Sequence, residues 1–249
     1  MEFPDIQEGS MPDEYRNHAS DYDAIYEDMK DYRREADRVH ELIQAHKHAD
    51  GATLLDVACG TGLHDQYLTN RYQLEGLDFS EAMLASAKTR LPETVFHQGD
   101  MSNFDLGRKF DVVTCLFSSI GHMKTKDKLS AAIACMARHL KPGGVLVVEP
   151  WITPDQWREG TVSTDFVPEK KVARITRSTR NGNLSHLEMH HFVDWDETTG
   201  TAKYFQTHHD VAMYTIEEYK AAFRASGLEV SYDEEGLMGR GVYVGIKNS

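Results

Sequence analysis

The sequence predicts an α/β domain: an open, mostly parallel sheet with helices on both faces and a small antiparallel sheet inserted late in the chain. Three observations carry that reading. Thr53 to Leu68, TLLDVACGTGLHDQYL, is a short apolar strand that stops at Asp56 and Ala58, a tight turn at Gly60, Thr61 and Gly62, and a helix entered at Leu63. A second strand, Gln73 to Leu77, ends on Asp78, about 20 residues past the turn, where a Rossmann-like βαβ unit places its ribose-binding carboxylate. Phe110 to Phe117 is a nearly continuous apolar run, as a parallel strand buried on both faces should be.

Residues 1–12 are polar, with Pro4, Gly9, Ser10 and Pro12, and read as a disordered segment. Residues 13–50 have helical spacing and form a cover. Its Tyr15, Tyr22, Tyr26 and Tyr32 either pack on the sheet edge with their hydroxyls exposed or lie over a ligand. The ligand-binding core is residues 51–151. After the glycine turn come a helix from Ser80 to Arg90, capped by Ser80 with Glu81 in its first turn, and a short third strand, Val95 to Gln98. The fourth strand delivers Ser118, Ser119, Gly121 and His122 to the carboxyl edge of the sheet, where open α/β sheets bind ligands. A helix from Lys126 to Leu140, a turn at Lys141 to Gly144 and a fifth strand, Val145 to Val148, bring Glu149, Pro150 and Trp151 to the same edge. Residues 152–214 then alternate polar and apolar around a hairpin turn at Asn181 and Gly182, the pattern of an inserted antiparallel sheet roofing the site. Residues 215–249 complete the core with a helix, Thr215 to Ser226, and a strand pair, Leu228 to Tyr232 and Val242 to Ile246.

Composition narrows the partners. With 249 residues, 40% hydrophobic, the chain suits one α/β domain with an insertion, and a formal net charge of −13 excludes a nucleic-acid backbone as partner. No stretch has the length of a membrane span, and Cys59, Cys115 and Cys135 have no metal spacing, so the reading is a cytoplasmic protein with reduced thiols. His190–His191 and His208–His209 invite a metal, but adjacent strand residues point to opposite faces, and no metal site is expected.

The glycine turn lets a ligand approach the backbone without a Cβ in the way. Asp65 stands where a dinucleotide fingerprint has its third glycine, and Asp56 suits a cationic ammonium or sulfonium better than two phosphates; both argue against a nicotinamide cofactor. Arg177, Arg180 and Arg240 stand out in so acidic a chain, as guanidiniums that a pyrophosphate-bearing acceptor would need.

Together, DVACGTG, GLDFSEAML, HQGDM and LKPGGVLVVEP resemble the successive motifs of class I S-adenosylmethionine-dependent methyltransferases. LGRKF at Leu106 to Phe110, FSSIGH at Phe117 to His122, VVEPW at Val147 to Trp151 and GRGVYVG at Gly239 to Gly245 bring the resemblance closest to sugar N,N-dimethyltransferases acting on nucleotide-linked amino sugars in antibiotic pathways. The resemblance implies the class I methyltransferase fold, a seven-stranded mixed sheet. It implies S-adenosylmethionine as cofactor: Asp56, Ala58, Gly60 and Gly62 hold the methionine end, Asp78 the ribose, Met83, Asp100 and Met101 the adenine, with Tyr32, Phe79 and Phe117 beside them. It sets His122 by the acceptor amine, which with Tyr15 or Tyr22 it orients and deprotonates. Ser118, Ser119, Trp151, Arg177, Arg180 and Arg240 fall to the acceptor, Trp151 either stacking on a sugar or base face or merely packing. Glu149 either accepts from the amine or a sugar hydroxyl or pairs with a roof arginine. The expected activity is N-methylation of a small-molecule acceptor, a dTDP-linked amino deoxysugar in the first reading, by a monomer or a homodimer. A methyltransferase for another small metabolite and a cofactor-binding protein without turnover are the alternatives.

Overall fold

The structure, a computed structural model, describes residues 19–27, 29–167, 171–196, 198–199 and 201–248. The N-terminal segment 1–12 and Tyr15 lie outside the described residues. Among the described residues, two helices, α1 (Ala19–Tyr26) and α2 (Tyr32–His46), precede the sheet. Asp31 caps α2 by accepting from the Arg34 N–H at 2.9 Å, and Ala36, Val39, Leu42 and Ile43 bury one stripe of it.

The core sheet runs in the order β10 (Leu228–Asp233), β11 (Val242–Lys247), β5 (Leu140–Val148), β4 (Phe110–Cys115), β1 (Thr53–Val57), β2 (Gln73–Asp78), β3 (Val95–Gln98). Strands β5 to β3 are parallel; β11 runs antiparallel to both β5 and β10. From β1 the chain winds outward through β2 and β3, then crosses back to lay β4 on the other side of β1. The resulting switch point opens a crevice at the carboxyl ends of β1 and β4. Helices α3 (Asp65–Leu68), α4 (Glu81–Arg90), α5 (Lys126–Arg138) and α6 (Ile216–Ala225) make the remaining crossovers. Ser80 caps α4, and Thr215 with Glu218 forms a capping box on α6.

A second, four-stranded antiparallel sheet is made by β6 (Val162–Val167), β7 (Val172–Asn181), β8 (Leu184–Asp196) and β9 (Thr201–Ala212), in that order. The turn at Gly182 takes φ +60, which glycine adopts without cost. Leu187, Met189 and Val211 on its inner face pack toward Trp151.

Three of the boundaries that differ from expectation have a visible cause. Strand β5 begins at Leu140, because the segment read as a turn bulges while still pairing: Phe110 faces Leu140, whereas Val112 faces Val145. Strand β4 stops at Cys115, because Phe117 and Ser118 take φ 53 and φ 60 and cannot continue a ladder. The helix after the glycine turn is a single turn starting at Asp65, two residues later than Leu63.

Candidate active site

A cavity of about 630 Å³ lies between the carboxyl edge of the core sheet and the inner face of the second sheet. At its first wall the chain turns through Ala58 and Gly60 with φ 62 and φ 57, and a Cβ built on Gly60 meets nothing within 4 Å. Asp78 braces the turn, accepting from the Gly60 N–H and the Ser80 N–H, each at 2.8 Å. Burial raises its carboxyl above the ordinary range. Phe79, Met83 and Met101 add apolar surface beside it. Helix α1 is fastened over this wall: Asp23 accepts from Thr61 Oγ1 and from Arg90, each at 2.5 Å, which brings Tyr22 and Tyr26 to the cavity.

Several residues read as cofactor ligands stand elsewhere. Asp56 lies beneath the turn, away from the cavity; its carboxyl accepts from Thr114 Oγ1 at 2.6 Å and from Asp65. Burial pushes Asp56 up to about 6 and Asp65 well above the carboxylate range, so Asp65 keeps the proton it donates. Gly62, at φ 76, faces Ala87 of α4 and Leu91 just past its end. Tyr32 is buried edge-on against His64, 4.8 Å between centroids. Asp100 is exposed and bonds the Ser102 N–H and hydroxyl. In their place the structure brings Lys30, whose buried Nζ lies 2.7 Å from Glu35 Oε2 and 3.9 Å above the Phe117 ring. Burial alone would raise Glu35; the His64 hydrogen bond and the Lys30 charge outweigh it and hold the carboxyl below its usual range.

The opposite wall carries Phe117, Ser118, Ser119, His122, Trp151 and Arg240. His122 ends a 3-10 turn, Ser119–His122, and burial depresses its imidazole to about 4, with Lys124 adding to the effect. Arg240 donates to Ser118 Oγ at 3.0 Å and stacks 4.4 Å over the Trp151 ring, so that the face of Trp151 read as a sugar platform carries a guanidinium. Glu149 is fully buried behind the β4 loop rather than on the cavity: its Oε2 accepts from the Phe117 N–H at 2.6 Å, fixing the left-handed step that turns Ser118 toward Arg240. The two roof arginines singled out in the sequence also stand off the cavity. Arg177 is exposed beside Glu188 and Arg180 bonds the Gly182 carbonyl, because both side chains leave the roof on its outer side and rim.

Sequence reasoning missed Lys30, Arg158, Arg174 and His209 as site residues, and all four line the cavity. Arg174 is clamped to Asp165 Oδ2 by Nε at 3.0 Å and Nη2 at 2.8 Å, with the guanidinium 5.1 Å from the Tyr26 ring. Period-two alternation was the available signal: Arg174 shares the inner face with Thr176 and Ser178, and one member of each histidine pair had to face inward. His191 and His209 are the buried members. No comparable signal existed for Lys30, a lone lysine in a helical segment.

A cofactor with a ribose diol, an apolar-faced base and a zwitterionic end fits the first wall: Asp78 for the diol, Met83 and Met101 for the base, and the buried Lys30 ammonium for a carboxylate. The family model described as a methyltransferase domain matches residues 54–144, the segment that builds this wall. A curated relative, the dTDP-3-amino-3,4,6-trideoxy-alpha-D-glucopyranose N,N-dimethyltransferase of Streptomyces venezuelae, is 44% identical over 92% of this chain and 98% of its own. The chain belongs to the amino-sugar N,N-dimethyltransferase family. The crystal structure of Streptomyces venezuelae DesVI superposes with a TM-score of 0.87 at 43% identity, covering 92% of this chain and 98% of that one. CalS10 of Micromonospora echinaspora, an amino pentose methyltransferase solved with S-adenosylmethionine bound, gives 0.84 at 43% identity over 91% and 96%. As a member of this family the chain is an S-adenosylmethionine-dependent methyltransferase acting on a small-molecule acceptor. Among the described residues no helix is long and apolar enough to cross a membrane.

Proposed function

We propose that this enzyme N,N-dimethylates the amino group of a dTDP-linked amino deoxysugar. The observation that carries the reading is a pair of half-buried arginines, Arg240 on the second wall and Arg174 on the roof, that both line the cavity in a chain of net charge −13. The guanidinium N–H groups not taken up by Ser118 and Asp165 suit a diphosphate. S-adenosylmethionine supplies an electrophilic methyl group when bound at the first wall. What the chain's own residues contribute is positioning. The apolar surroundings that depress His122 to about 4 also disfavour an ammonium beside it, so the acceptor binds as its free amine. A neutral His122 then accepts a hydrogen bond from that amine and orients it; it is too weak a base to store the proton that leaves.

The test is calorimetric titration with S-adenosylhomocysteine, repeated with thymidine diphosphate. Binding of both is expected. Binding of the first alone would keep the reaction class and favour a methyltransferase for another small metabolite. A cytoplasmic setting is part of the same reading, supported by three free, buried cysteines. So is a homodimer. Phe166, Phe192 and Tyr204 stand in one cross-strand row on the outer face of the roof, 69%, 39% and 52% exposed, with the opposite charges of Arg177 and Glu188 further along the same face. A second copy turned through a two-fold axis would match that row to itself and the charges to their opposites.

A further inference from the structure

The loop of residues 234–241 joins β10 to β11, whose last pair is Asp233 with Val242, and sends Met238 and Arg240 to the cavity. It is closed on itself. Gly236 and Gly241 take φ 57 and φ 80, and a Cβ on Gly236 would fall 2.5 Å from the Gly241 carbonyl carbon, so the loop ends meet backbone to backbone. A Cβ on Gly241 would in turn overlap the Tyr232 hydroxyl, which lies 3.5 Å from the Arg240 carbonyl. Asp233 ties the closure. Its Oδ1 accepts from the Gly236 N–H at 2.7 Å, and its Oδ2 accepts from Arg38 Nη2 of α2, also at 2.7 Å. Leu237 packs onto the core cluster that contains Val242 and Val244. The far end of Arg240 is held separately. Ser118 Oγ gives its one proton to the Pro150 carbonyl at 2.8 Å, so toward Arg240 Nη1 it can only accept.

We infer that Asp233 is a positioning residue of the acceptor site: by closing the 234–241 loop it sets the backbone from which Arg240 reaches Ser118 and Trp151. An arginine has many rotamers to lose when it binds an anion, and one already held at both ends loses few. Ser118 and Trp151 can hold the guanidinium only while the Arg240 backbone stays within reach of both. The glycines that let the loop close also give it more freedom than other residues would once the closure is released. That release is local. Glu234, Glu235 and Gly239 are exposed at the end of a strand pair, and the cofactor wall lies on β1 and β2. Asp233 itself stands off the cavity, so it acts through Arg240 and not on the acceptor. The inference rests on the reading of Arg240 as a ligand of the acceptor's diphosphate.

A double-mutant cycle on Asp233 and Arg240 tests it, with kcat and KM for a dTDP-linked amino sugar and calorimetric affinity for S-adenosylhomocysteine measured on each variant. Arg240→Ala is expected to raise the acceptor KM about thirtyfold or more. Asp233→Ala should raise it about fivefold or more, with kcat and S-adenosylhomocysteine affinity within about twofold, and should add less than about twofold on top of Arg240→Ala. Arg38→Ala removes the half-exposed tie to α2 and leaves Asp233 to Gly236, so the acceptor KM should stay within about twofold. If Asp233→Ala no longer binds S-adenosylhomocysteine, Gly236→Ala, which forces the loop ends apart and keeps Asp233, carries the same cycle. An unchanged acceptor KM in Asp233→Ala, an Arg38→Ala effect as large as that of Asp233→Ala, or full multiplication of the two losses in the double variant overturns the positioning role. An unchanged KM in Arg240→Ala overturns the reading of Arg240 and the positioning role with it.

Discussion

His122 and Asp65 show at the scale of single residues how burial decides chemistry. At His122 the neutral imidazole is the resting form, so its contribution is a hydrogen bond to the acceptor. His122→Asn should lower turnover by about a hundredfold or more while leaving S-adenosylhomocysteine affinity within about twofold; unchanged turnover would make the ring structural. Asp65 is fully buried and donates to Asp56, an arrangement that needs Asp65 protonated. A carboxyl whose folded pKa is raised stabilises the fold at low pH and loses that contribution as pH rises through the folded value. Asp65→Asn supplies the donor N–H at every pH. The variant should therefore melt at or above wild type at pH 8 and lose that advantage toward pH 5; parallel melting curves would show that Asp65 does not hold the proton. The sequence places Asp65 where a glycine of the dinucleotide fingerprint would stand, which excludes that fingerprint. That it pairs with Asp56 was beyond reach, because the two meet only after β1 and α3 are folded around the turn.

At the scale of elements, the cavity is made by two approaches. Helix α1 is pinned onto the glycine turn by Asp23, Thr61 and Arg90, and β9 is laid against the 3-10 turn at Gly121. Gly121→Ala should cost about 1–3 kcal/mol of stability through overpacking against Val211. It should also weaken acceptor turnover more than cofactor binding, measured by denaturant unfolding alongside kcat and calorimetry, since the cofactor wall lies on β1 and β2. Equal losses would mean that the disturbance spreads through the core sheet. Most elements were legible from periodicity, down to the hairpin at Gly182 and the cap at Ser80. The ends of β4 and β5 were not. A bulge and a left-handed step are set by side-chain anchors from distant strands, here Glu149 on the Phe117 N–H, and leave the hydrophobic pattern unchanged.

For the whole molecule, charge is unevenly placed: in a chain of net charge −13 the cavity walls hold Lys30, Arg158, Arg174 and Arg240 against Asp78 and Asp165. The outer face of the roof is the other large-scale feature. If it pairs two copies, wild type should sediment as a dimer at micromolar concentration and Tyr204→Lys as a monomer with unchanged S-adenosylhomocysteine affinity; a monomeric wild type would remove the dimer from the reading. The sequence by itself determined the sheet class, the glycine turn, Asp78 at the end of the second strand and His122 past the fourth, because these are local: strand periodicity and turn chemistry put them at the carboxyl edge whatever else folds. Tertiary structure alone decided which cations and imidazoles share the cavity. The same alternating pattern on β7, β8 and β9 sends Arg174 and His209 inward and Arg177 outward. Which face of that sheet meets the core depends on how the insertion docks, through contacts such as Val211 on Gly121 that join residues far apart in the chain.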